Sequence, residues 1–194
     1  MPVDYEENIN ELNANADAIK YFMASGILYY ERLMEYKRNE NPRWMNIFNE
    51  FYNIQGLSNE EKEGFFHHFD QIEFDNNDFY DAATMNETLN ALSFRGRHDM
   101  SFISKILHTY APEHYIIYDS SVHQFFNPTG YQTRGELYRI LHVAYDDDAI
   151  RRLANIFDQV VGDGHPIESL KKIDFMIWGW GKWKKFEEKY PIQP

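Results

Sequence analysis

The chain contains no cysteine. That removes disulfides, thiolate nucleophiles, Cys-ligated zinc and iron–sulfur clusters together. Glycine and proline are sparse, at 10 and 7 of 194 residues. No segment shows the period-2 apolar alternation that marks a strand. No stretch approaches the ~20 apolar residues of a membrane span, and no apolar run of signal-peptide type stands near the N-terminus. A soluble, cytoplasmic protein with no membrane partner is therefore expected. There is no glycine-rich phosphate loop and no Ser-His-Asp arrangement. Metal-ligand patterns are equally poor. His67 and His68 are adjacent and would point apart on a helix, while His108, His114 and His123 follow no ligand spacing. Neither a metal nor a cofactor is expected.

Positive charge is scarce in one half only. Residues 1–90 carry 6 Lys/Arg against 18 Asp/Glu, whereas residues 91–194 carry 13 of each, so the formal charge of −12 belongs to the N-terminal half. Two stretches of the second half are locally basic, Arg95–Tyr110 and Lys171–Tyr190. A phosphate backbone needs such a local footprint rather than a basic protein.

What the chain has in quantity is aromatic side chains, 17% of residues, on helical spacing. Ile9, Leu12, Ala16, Ile19, Phe22 and Met23 predict helix from Asp4 to about Lys37, with a break near Ser25-Gly26. Asn41-Pro42 predicts a helix start with Asn41 as N-cap. Ser58-Asn59-Glu60-Glu61 has capping-box form. Asp75–Asp78 reads as a polar linker, Phe79–Leu92 as a further helix and Ser93–Asp99 as a turn. Later helices are expected over about Thr133–Ala144, from Asp146–Asp148 to Val161, and over about Ile167–Lys185. The fold class is all-α, a single domain over 1–194 with eight or nine helices. Within it, residues 1–90 form an acidic N-terminal region, 91–127 a central segment and 128–194 the C-terminal helices.

The central segment is organised around Asp119. Phe102, Ile103, Ile106, Leu107 and Tyr110 share one helical face, and Ala111-Pro112 ends that helix. Tyr115-Ile116-Ile117-Tyr118 is too short for a helix and too apolar for an exposed loop, so it is expected to thread the core. Asp119 then stands where an N-cap belongs, ahead of Val122, Phe125 and Phe126.

Ser104-Lys105-Ile106-Leu107-His108, Pro112-Glu113-His114-Tyr115 and Ile117-Tyr118-Asp119-Ser120-Ser121-Val122 resemble the helix-hairpin-helix (HhH-GPD) DNA glycosylase superfamily. Ile173 to Lys182 (IDFMIWGWGK) resembles the closing helix of its small bacterial and phage-associated relatives. The resemblance covers about residues 90–127, and 170–183 less closely. It implies two helical lobes flanking a cleft, double-stranded DNA as partner, and a damaged or modified base flipped into the cleft. Asp119 would be the catalytic carboxylate that assists hydrolysis of the base–sugar bond. Arg95, Gly96, Arg97 and His98 stand at the DNA-gripping hairpin, with one glycine where the family usually has two or more. Ser101 holds the place of the lysine found in strand-cutting members and Lys105 lies one turn on, which implies a monofunctional base-excision enzyme. Ser101, Lys105 and Lys182 would touch DNA, with Lys184 and Lys185 beside Lys182. Tyr29, Tyr30 and Trp44 would form the base pocket, with Trp178, Trp180 and Trp183 as further stacking surfaces.

Each of these residues also has a plain structural reading. Asp119 is a favoured N-cap, the 94–98 turn an ordinary solvated turn, the aromatics core, and the C-terminal lysines partners of a helix dipole. The alternative function is a non-catalytic relative whose acidic half binds a protein partner or mimics DNA. Asp119 on the wall of an open cleft suits the enzyme. Asp119 buried as a cap with no pocket beside it suits the binding module. A metal-dependent nuclease would need at least two more carboxylates near Asp119.

Overall fold

The computed structural model describes residues 3–53, 58–69, 86, 87, 89, 90 and 100–191. Among them the secondary structure is helical throughout. The Asp75–Asp78 linker, most of the Phe79–Leu92 helix and the Ser93–Asp99 turn lie outside the described residues, and with them Arg95, Gly96, Arg97 and His98.

The first two helices are α1 (Glu6–Ala14) and α2 (Ala16–Arg38). The interruption falls at Asn15, and α2 runs unbroken through Ser25-Gly26, where a break was expected. Ile19, Met23, Ile27, Tyr30 and Leu33 give α2 one continuous buried stripe, which holds it together past the glycine. Gly26 itself answers a packing demand, because a Cβ there would lie 2.9 Å from the Trp178 ring. Helix α3 (Trp44–Phe51) begins later than Asn41-Pro42 suggested. Asn41 Oδ1 accepts from the Arg43 amide at 3.1 Å, so the asparagine closes a turn ahead of the helix instead of capping it. At α4 (Asn59–Phe69) the capping box is present: the Glu61 amide donates to Ser58 Oγ and the Ser58 amide to Glu61 Oε2.

Helices α5 (Met100–Tyr110) and α6 (Ser120–Phe126) enclose the central strip. Thr133 and Glu136 form a second capping box at α7 (Arg134–Tyr145), and Asp147 caps α8 (Asp148–Val161) through the Ala149 amide. The last helix, α9 (Ser169–Lys189), begins two residues later and ends four later than the pattern suggested. It is the hub of the molecule, packing against α1, α2, α6 and α8. Ile173 to Ile177 are buried consecutively, so this stretch of α9 turns no face to water.

Gly179 and Gly181, costly inside a helix at roughly 1 kcal/mol each, are explained by this central position. A Cβ at Gly179 would meet Met23 Cγ at 2.6 Å on α2, and one at Gly181 would meet Ser121 Oγ at 2.6 Å and Cβ at 2.9 Å on α6. The two glycines let α9 approach both neighbours closely.

The strip Tyr115–Tyr118 threads the core as irregular chain, with Tyr115, Ile116 and Ile117 buried. A buried segment without a helix or sheet must find hydrogen-bond partners elsewhere. Here side chains supply them. His108 Nδ1 pairs with the Tyr115 carbonyl at 2.6 Å, the Tyr138 hydroxyl donates to the Ile116 carbonyl at 2.7 Å, and the Tyr118 amide donates to Ser104 Oγ at 2.9 Å.

His108 is fully buried, and burial, reinforced by the Lys171 charge and opposed by the Tyr115 carbonyl, lowers its pKa to about 3. The unfolded chain takes up a proton near the ordinary value of 6.5 that the folded state refuses. The contribution is therefore whole above about pH 6.5 and is lost as pH falls toward 3, on the order of 5 kcal/mol across that window. Urea unfolding of wild type and His108→Gln from about pH 7.5 to 4 tests this. The wild type should lose stability more steeply on acidification than the variant; parallel curves would contradict the assignment.

Candidate functional site

Asp119 starts from backbone. Its Oδ1 accepts from the Ser121 amide at 2.8 Å and the Val122 amide at 3.0 Å, which makes it the N-cap of α6. No described residue bonds Oδ2. The carboxylate is half-buried and stands on the wall of a cavity of about 440 Å³, within the range of small-molecule sites. Asp119 is thus both a cap and a cavity residue.

The cavity is graded with depth. Lys182 and Ser120 are exposed at its rim, Ser101, Lys105 and Asp119 are half-buried, and Lys171 and Asp174 are buried within it. Lys105 Nζ donates to Ser101 Oγ at 2.9 Å, one turn away on α5, and lies 5.5 Å from the Tyr52 ring. Lys182 Nζ lies 4.2 Å from the Trp178 ring. Of the residues expected to touch DNA, the fold therefore brings Ser101, Lys105 and Lys182 to the cavity that holds Asp119. Lys184 turns away, pairing with Glu11 at 3.0 Å.

The aromatic wall differs from the one the sequence suggested. Phe51, Tyr52, Phe175 and Trp178 line the cavity, and Tyr29, Tyr30 and Trp44 do not. Trp44 is buried in an edge-to-face cluster with Phe48, Phe66 and Tyr110. Tyr30 is in the core, with its hydroxyl between Glu168 at 3.1 Å and His108 at 3.3 Å. Tyr29 stacks on Phe51 and donates to Glu50 at the surface. Tyr30 and Trp44 are core because a ring buries more apolar area than any other side chain, while Tyr29 is exposed. Trp180 is also core, its indole N–H donating to Glu11 at 2.9 Å.

Sequence reasoning missed the floor of the cavity. Lys171 Nζ donates to Asp174 Oδ2 at 2.6 Å, and the two side chains are 2 and 6% exposed. Rings of Phe175, Tyr30, Phe51 and Tyr52 surround the ammonium, with centroids 4.6–5.3 Å away. Burial raises the Asp174 pKa; Lys171 opposes that, and the Asp119 charge adds to it. Burial also pushes the Tyr52 hydroxyl well above its ordinary range, with the Asp174 charge next. A charged pair at i and i+3 inside the apolar run Leu170–Trp180 was the visible signal. It went unread because such pairs usually face solvent.

A slightly larger cavity, about 480 Å³, is bounded on one side by His142, Asp146 and Arg151. There Arg151 pairs with Asp146 at 2.7 Å, so its charge is matched internally. Lys182, on the rim beside Asp119, forms no such ion pair among the described residues. Among those residues no group of three His, Asp or Glu is placed to hold a metal ion, and no helix is long and apolar enough to cross a membrane. The chain matches no protein-family model, no curated protein and no solved structure.

Gly181 controls where Asp119 sits, since Ser121, whose amide holds the carboxylate, is the residue a Cβ would strike. At Gly179 an added Cβ would meet the flexible Met23 and also Ile19 Cγ2 at 2.9 Å, whereas at Gly181 it would meet Ser121 Cβ, one bond from backbone. Gly181→Ala should cost about 1–3 kcal/mol of stability from overpacking, and more than Gly179→Ala. Asp119→Ala should lose about 1 kcal/mol with the cap, while Asp119→Asn, an equally good cap, should lose little. Denaturant midpoints of the four variants check both orders.

Proposed function

We propose that the chain is a monofunctional DNA glycosylase that hydrolyses the N-glycosidic bond of a damaged or modified base flipped out of DNA, with Asp119 assisting. One observation carries the reading: Asp119 is fixed through one oxygen by two backbone amides and borders a cavity whose rim is basic and whose walls are aromatic. The helix-hairpin-helix arrangement, two lobes about a cleft, belongs to the same proposal.

The chemistry follows from charge. As the C1′–N bond breaks, its electron pair leaves with the base and positive charge builds on the sugar. A carboxylate held rigidly at that point stabilises the oxocarbenium-like centre and orients the water that adds to C1′. Two backbone donors spare Asp119 any reorientation during reaction. Lys182 and Lys105 supply the positive charge that the backbone phosphates flanking an extruded nucleotide require. The hairpin residues Arg95, Gly96, Arg97 and His98 are assigned to the DNA backbone on the resemblance alone. Ser101 in place of a lysine supports base removal without strand cleavage.

A second reading has its own observation, the acidity of residues 1–90. Under it the chain is a non-catalytic relative that binds a protein partner or mimics DNA.

Base release decides between them. DNA carrying a panel of damaged and naturally modified bases is incubated with wild type and Asp119→Asn, then treated with alkali to reveal abasic sites. Wild type should generate abasic sites, and the variant should be slower by about 10²–10³-fold with DNA binding retained. Base release undiminished in the variant would remove Asp119 from the chemistry. Neither release nor DNA binding by wild type would favour the acidic binding module.

A further inference from the structure

The buried pair at the cavity floor is incompletely satisfied. Asp174 Oδ2 accepts from Lys171, but Asp174 Oδ1 has no hydrogen-bond partner, and the remaining N–H bonds of Lys171 meet only aromatic rings among the described residues. An acceptor without a partner thus stands beside an ammonium whose other N–H bonds face only rings, at the floor of the cavity. Buried polar groups are rarely left so.

We propose that Lys171 and Asp174 read the base: Asp174 Oδ1 accepts a ring N–H while Lys171 Nζ donates to the carbonyl oxygen beside it. This rests on the glycosylase reading for the orientation of the nucleotide. With the sugar at half-buried Asp119, the edge that reaches the deeper pair is the one farthest from the glycosidic nitrogen. The complementary ligand is a base with a lactam edge, C=O next to N–H, as in hypoxanthine, guanine or uracil. A lactam N–H is a more acidic donor than an exocyclic amine, and a carbonyl oxygen suits an ammonium better than a ring nitrogen does. Phe175 and Trp178 on α9, with Phe51 and Tyr52 from the α3 end of the chain, offer faces for the ring.

The probe is 2′-deoxyinosine, titrated into the full chain and followed by the Trp178 indole NMR signal, with 1-methyl-2′-deoxyinosine and 2′-deoxyadenosine as controls. Deoxyinosine should bind at least about 10-fold more tightly than either control. In Asp174→Asn the amide oxygen must face Lys171, which only donates, so an NH₂ replaces the acceptor and the preference for N–H over N–CH₃ should vanish. Should that variant fail to fold, Lys171→Met/Asp174→Leu replaces the whole ion pair with apolar volume, a change such sites tolerate; it should fold and bind all three nucleosides equally weakly. Equal binding of deoxyinosine and its 1-methyl derivative by wild type, tighter binding of deoxyadenosine, or an unchanged preference in the folded double variant would each overturn the proposal and leave a structural ion pair. Nucleoside recognition that depends on Lys171 and Asp174, without base release from DNA, removes the glycosylase reading and keeps this one. Base release indifferent to both substitutions does the reverse.

Discussion

The structure depends on threading through the core a four-residue strip that forms neither helix nor strand, three of its residues buried. Tyr115–Tyr118 crosses the core as irregular chain, and its peptide groups would be prohibitively costly there without partners. His108, Tyr138 and Ser104 supply them, each from a different turn of α5 or α7. The need to satisfy this strip explains why a histidine and a serine occupy fully buried positions on α5. It also explains why Asp119, the residue at which the strip ends, is held in one place. A carboxylate at the end of a flexible loop would lack that fixity.

Helix α9 supplies the other half of the arrangement. It presses Gly179 against α2 and Gly181 against the first turn of α6, so the distance between α9 and Asp119 is set by the absence of two β-carbons. The same helix carries Lys171, Asp174, Phe175, Trp178 and Lys182 to the cavity. One rigid element therefore furnishes floor, wall and rim, and a second furnishes the carboxylate opposite. Sites built on packed helices in this way hold their geometry better than sites on loops.

The electrostatics follow from depth. Lys182 at the surface is solvated, while among the described residues Lys171 is stabilised by Asp174 and by aromatic faces. Asp174 sits between two influences, the ammonium bonded to it and the nearby charge of Asp119, and burial tips its pKa upward. Two carboxylates in one cavity, one capped by amides and half-exposed, the other buried on an ammonium, are chemically distinct groups although both are aspartates.

Local sequence determined much of this protein. Asp119, and Ser58 with Glu61, cap helices where their spacing says they should, because such caps are decided within four residues; Asn41, ahead of Pro42, closes a turn instead. The buried course of Tyr115–Ile117 was legible for a similar reason: a short apolar run with no helical partner has nowhere else to go. Ser101, Lys105 and Lys182 were legible as companions of Asp119 only through a resemblance. The tertiary structure alone decided which aromatics face a cavity and which fill the core, since Trp44 and Trp178 are indistinguishable by local pattern. It decided that Gly26 interrupts nothing and that Gly181 is a contact point, because both answers lie on a neighbouring helix. And it decided that Lys171 and Asp174 are buried, for exposure of an i, i+3 pair depends on how many sides of its helix other helices cover.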